Sequence, residues 1–149
     1  MSSSFEDLDV WKRSCDLSVQ LYALLKNCRD YGLKDQIQRA SISIASNIAE
    51  GRERNSKAEF LRFLNIAKGS AAEFRTQIYV SERVNVINSK DAKEIIEELK
   101  IISRMLQAFS NSLLKTVNCK PVTSLIKEFW IGSYGWVEFK ESLRRTVYS

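Results

Sequence analysis

The chain contains no histidine. That absence removes the Ser-His-Asp and Cys-His nucleophile systems, and with them the Glu-x-x-His pattern that loads di-iron centres into helical bundles. Neither GxxxxGK[ST] nor GxGxxG occurs, so the common phosphate-cradling loops are missing as well. One proline and five glycines among 149 residues are far below ordinary usage, and little or no sheet is expected. No apolar run approaches the roughly 20 residues that span a bilayer, and the acidic start MSSSFEDLDVW lacks the apolar core of a signal segment, so a soluble, unexported, cytoplasmic protein is expected. Cys15, Cys28 and Cys119 are odd in number and widely spaced, which suggests neither a disulfide framework nor a zinc site. They are expected as reduced, mostly buried thiols, and no metal or cofactor is expected.

What the sequence has is helical periodicity. At 44% hydrophobic the chain is one ordinary domain in size, long enough to bury a core. Val10, Ser14, Leu17, Leu21, Leu24 and Cys28 step by four and three residues, which predicts a helix over about 6–28, broken by Asp30-Tyr31-Gly32. Leu33, Ile37, Ala40, Ile44, Asn47 and Gly51 repeat the spacing in a second helix, with Gly51 expected as its left-handed cap. In its middle, Ala40 to Ser46, small residues alternate with isoleucine, a pattern for close packing within the bundle or against another subunit. Ser56 to Glu59 has the form of a capping box, which starts a third helix at residue 57 with Phe60, Leu64, Ala67, Ala71, Phe74, Ile78 and Ser81 inward. A fourth follows Asn88-Ser89 and turns Ala92, Ile95, Leu99, Ile102, Leu106, Phe109, Leu113 and Val117 inward until Lys120-Pro121. The expected fold is all-α: an antiparallel up-down-up-down four-helix bundle over 1–119, followed by an aromatic-rich extension over 120–149. Six of the 15 aromatics lie in that extension, and Trp130, Tyr134, Trp136 and Phe139 are the candidates for docking on the bundle, a sister subunit or a partner.

Charge is moderately basic, 23 Lys and Arg against 18 acids, for a net +5 and a pI near 9.2. The cations expected to meet phosphates are Arg39, Arg52, Arg54, Lys57, Arg62, Lys68 and Arg75. The Arg52 to Arg62 group leads, because the helix joint places backbone donors beside it. Asn47, Glu50, Glu73 and Gln77, with Arg39 as a basic partner, are expected to form a buried hydrogen-bonded network that sets helix register. The competing reading pairs Glu50 with Glu73 as an acid–base couple or a hard-cation site. A third keeps the chain as a protein-interaction scaffold whose positive charge only aids solubility.

Two stretches carry a resemblance. LDVWKRSCDLSVQLYALL and YGLKDQIQRASISIASNIAEGRERNSKAEFLRFLNIAKGSAAEFRTQIYV resemble the bacterial four-helix-bundle family encoded in intervening sequences of large-subunit ribosomal RNA genes. The likeness covers about residues 5–117, through the Val-Trp start, the Tyr-Gly-Leu turn, the Ser-Asn-Ile-Ala-Glu-Gly element, the Ser-x-x-Glu-Phe cap and the Gly-Ser-x-x-Glu stretch. Ala45 stands where a proline is common, and Gln38-Arg39 where a basic pair is frequent. The resemblance implies a non-enzymatic bundle that assembles as a ring-shaped homopentamer. It also implies kinship with the accessory variability determinant of diversity-generating retroelements, which binds nucleic acid and a reverse transcriptase. The function it implies first is therefore a basic accessory protein that binds RNA or an RNA/DNA hybrid and a reverse transcriptase. The alternative it implies is an intervening-sequence protein that binds ribosomal RNA. Ring assembly would concentrate a modest charge per chain into a strong field.

Overall fold

The computed structural model describes residues 4–117. The expected boundary at 119/120, Cys119, and Trp130, Tyr134, Trp136 and Phe139 lie outside the described residues. The described residues form a short 3-10 turn, Phe5–Asp7, and four helices: α1 (Asp9–Leu24), α2 (Tyr31–Glu53), α3 (Lys57–Arg83) and α4 (Ser89–Val117). No strand occurs among them.

Local chemistry sets the joints. Asp30 accepts a hydrogen bond from the Leu33 amide at 3.0 Å and so caps α2. Tyr31 and Gly32 thus begin α2 rather than end α1, which stops earlier than its apolar spacing predicts, at Leu24. Ser56 caps α3 through the Glu59 amide at 3.4 Å. Asn88 caps α4 through the Asp91 amide at 2.9 Å. Asn85, at φ 59°, takes the left-handed position that closes α3. The Val86 amide donates to the Ser81 carbonyl and the Asn85 amide to that of Glu82, a Schellman closure built on asparagine.

Consecutive helices are neighbours and antiparallel. Gly51 near the end of α2 meets Phe60 and Phe63 at the start of α3, and Ser43 in mid-α2 meets Ser70 in mid-α3 at 2.9 Å. Lys68 of α3 bonds Gln107 of α4, and Arg13 of α1 bonds Glu98 of α4, which completes the circuit. Leu21, Leu25, Ile37, Ile44, Ile48, Leu64, Phe74, Ile78, Ile95, Leu99, Ile102 and Leu106 fill the core. Serines share that core because each hydroxyl donates to a carbonyl one turn back: Ser14 to Val10, Ser18 to Ser14, Ser81 to Gln77 and Ser110 to Leu106. The small residues of mid-α2 divide. Ala40, Ser41, Ile44 and Ala45 face the core, while Ile42 and Ser46 face outward. Cys15 and Cys28 are half-buried free thiols, and Cys28 packs against the core. Burial, reinforced by Asp16, pushes the Cys15 thiol above its ordinary pKa. No helix among the described residues is long and apolar enough to cross a membrane.

Candidate nucleic-acid interface

The α2–α3 joint is built around a glycine used for closeness rather than for conformation. Gly51 lies inside α2, is buried, and has no positive φ, so it is not the expected left-handed cap. A Cβ there would stand 2.6 Å from the Phe63 Cβ and 2.9 Å from Phe60 Cδ2. The missing side chain lets both rings sit against the α2 backbone. Phe60 also meets Phe109 of α4 edge-on, with centroids 5.1 Å apart.

Those rings seat the guanidinium groups. Arg52 lies 5.8 Å from the Phe60 centroid, and Arg54 and Arg62 lie 5.4 and 5.7 Å from that of Phe63. Carboxylates share the surface. Arg54 bonds Glu50 at 2.6 Å and approaches Glu59 to 4.0 Å, while Arg62 approaches Glu59 to 3.9 Å. The Glu50 hydrogen bond and charge raise the Arg54 pKa above its ordinary value. Because Glu59 is turned toward these arginines, only the Ser56 half of the expected capping box appears as a cap contact. Lys57 is exposed at the head of α3. Residues 50–62 thus carry four cations against three carboxylates, so the cluster is close to neutral.

The other residues singled out from sequence scatter. Arg39 is exposed on α2 and lies 3.9 Å from Asp35. Lys68 bonds Gln107, and Arg75 lies one heptad further along α3. The expected four-residue network is instead three separate pieces. Asn47 donates to the Ser43 carbonyl at 2.7 Å and its hydroxyl at 3.0 Å, and Ser43 bridges to Ser70. Glu50 is exposed and turned to Arg54. Gln77 donates to Glu73 at 3.2 Å, and its own buried Oε1 has no partner among the described residues. Helical rotation is the reason: Glu50, three residues past Asn47, sits about 60° further round α2 and faces solvent. Arg39 joins none of these pieces, and Glu50 and Glu73 do not pair. Among the described residues, no three Cys, Asp or Glu side chains are grouped to hold a metal ion.

The sequence reading passed over three cations on α4, namely Lys93, Lys100 and Arg104. Their signal was the same four-and-three spacing used to find the core: Lys93, Glu97, Lys100, Arg104 and Gln107 follow at four, three, four and three residues.

Comparison with known proteins accords with this architecture. A search among curated proteins returns no match. Among solved structures, the chain is similar to a protein of unknown function from the S23 ribosomal protein family of Bacteroides thetaiotaomicron. The two share 26% identity and a TM-score of 0.64, over 68% of this chain and 97% of that one. The 23S rRNA-intervening sequence protein family matches over residues 6–108, which takes in α1, α2, α3 and most of α4. The chain belongs to the 23S rRNA-intervening sequence protein family.

Proposed function

We propose that the protein is a non-enzymatic, self-assembling RNA-binding protein that contacts the phosphate backbone without reading bases. The observation that supports it most directly is the α2–α3 joint, where three guanidinium groups are held on two phenyl rings at an exposed helix end. Their carboxylate partners do not bar phosphate. Exposed ion pairs contribute little to stability, and a guanidinium exchanges a carboxylate for a phosphate with the same forked geometry. Family membership favours a ribosomal-RNA role over that of a retroelement accessory protein with a reverse transcriptase partner. The homopentameric ring belongs to the same proposal.

Light scattering after size exclusion, with and without a structured RNA, tests it. The expected result is a mass near five chains that takes up RNA at about 50 mM salt and releases it at about 300 mM. A chain that ignores RNA at both salts would be a protein-interaction scaffold instead. Reversing Arg52, Arg54 and Arg62 together to Glu is expected to abolish binding while helicity, followed by circular dichroism, is unchanged.

A further inference from the structure

The helix α4 separates its charges by side. Glu94 and Glu98 face α1, where they line a cleft of about 300 Å³ with Arg13 and Asp16, and Arg13 forks onto Glu98 with two bonds of 2.7 Å. Arg13, a cation in sequence, is therefore occupied. Another flank of α4, about 120° round the helix, carries Lys93, Lys100 and Arg104 in line with Gln107, whose bond to Lys68 fixes this flank as the one beside α3. The antiparallel course set by that bond and by the Phe60–Phe109 contact runs Arg75, seven residues along α3, beside the Lys93–Lys100 stretch of α4.

We propose that the five side chains Lys68, Arg75, Lys93, Lys100 and Arg104 form a continuous phosphate track across α3 and α4 for the backbone of double-helical RNA. The proposal rests on the RNA-binding reading above and names a surface for it other than the joint. Glu97 is the one carboxylate on α4 within the row, and Glu82 lies near the end of α3. Lys100 bonds Glu97 at 2.7 Å. That bond, with further pull from Arg104 and Lys93, holds the Glu97 carboxyl below its ordinary pKa, so all three cations act on one point. Glu73, the other acid in this part of α3, turns away to Gln77. The positive excess of the track is thus not cancelled locally, unlike that of the joint.

The dimensions suit a nucleic-acid backbone. Lys93 and Arg104 are eleven residues apart, about 16 Å along the helix axis, a span of several phosphates along one strand. The cations of α3 lie alongside as a second row. Long flexible side chains in two rows follow a helical backbone by shape and charge, as duplex RNA, with its deep narrow major groove, requires.

The test is fluorescence anisotropy with an RNA duplex of about 20 base pairs, titrated with full-length protein between about 50 and about 200 mM salt. Three proteins are compared: wild type, Lys93→Gln/Lys100→Gln/Arg104→Gln, and Lys12→Gln/Lys26→Gln/Lys34→Gln, which loses the same charge from α1 and α2. The α4 variant is expected to bind at least about tenfold more weakly at low salt, with the log–log salt slope reduced by about two to three. The α1–α2 variant is expected to stay within about threefold of wild type. If the α4 variant fails to fold by circular dichroism, Lys68→Gln/Arg75→Gln on α3 takes its place, with the same direction expected. Wild type that binds, with track and α1–α2 variants weakened equally, overturns the track and leaves RNA binding standing. Wild type that does not bind overturns the RNA-binding reading itself.

Discussion

The joint between α2 and α3 and the face shared by α3 and α4 are both rich in cations, yet they use them differently. At the joint, Arg54 and Arg62 are seated on Phe63 and tied to Glu50 and Glu59. On the α3–α4 face, Lys93, Lys100 and Arg104 surround Glu97, the one carboxylate of the α4 row, while Glu94 and Glu98 are directed to the flank of the same helix that faces α1. Counting Lys and Arg along the chain ranks the joint first. Counting the charge left over ranks the α3–α4 face first. Ring stacking orients a guanidinium, whereas segregation of acids from bases sets the field that a phosphate meets.

The largest expected effect breaks the joint from within. Gly51→Ala gains helix propensity of about 1 kcal/mol, but its methyl collides with Phe60 and Phe63. The net expectation is a loss of about 1–3 kcal/mol by urea denaturation, the range for overpacking. Gly69→Ala supplies the contrast. A Cβ there meets nothing within 4 Å, so a gain of about 0.8–1 kcal/mol is expected. Shifts of opposite sign from the two variants identify Gly51 as a contact residue. Equal gains would show that the rings yield and that the joint is not tightly built.

Smaller effects separate the two surfaces by binding. Phe63→Leu removes the ring under Arg54 and Arg62 but keeps the core filled, so RNA affinity should fall a few-fold if seating matters. An unchanged affinity would reduce the joint to bulk charge. Glu97→Gln deletes the carboxylate in the α4 row and should tighten RNA binding by about two- to threefold. Weaker binding would mean that Glu97 positions Lys100 rather than competing for it. The smallest expectation is a null: affinity should be level from about pH 6 to 8, because no histidine titrates there. Glu97, its carboxyl held low, contributes stability above the ordinary carboxylate pKa, lost only as pH falls through its lowered value. A step in affinity near pH 7 would require a titrating group that the sequence does not identify.

Much of the fold was legible because helix formation is local. The four-and-three spacing placed Ile37, Ala40 and Ile44 inward on α2 and Leu64, Ala67, Phe74 and Ile78 inward on α3, as the structure has them. The cap Ser56 was readable from its side-chain oxygen, Asn88 only as a residue just before the fourth helix, and Asp30 only in retrospect, because the glycine beside it read as a breaker. The candidate site was less legible. Asn47, Glu50, Glu73 and Gln77 are close in spacing, but a rotation of about 60° between Asn47 and Glu50 separates an inter-helix hydrogen-bond chain from a surface ion pair. The row on α4 was visible as spacing yet passed over, since it holds both signs of charge and its excess emerges only when Glu94 and Glu98 are assigned to the flank that faces α1.

The sequence by itself determined four amphipathic helices, the starts of α3 and α4, most of the residues the helices bury and a membership that its motifs already suggested. These depend on neighbours within a turn or two along the chain, where geometry is set by the helix itself. Only the tertiary structure decided that Gly51 is a point of close approach rather than a cap, that Arg13 is spent on Glu98, and that the cations of α3 and α4 share one face. Those facts depend on which helix lies within a few ångströms of which. Periodicity tells each helix which side to bury, and packing alone chooses the neighbour.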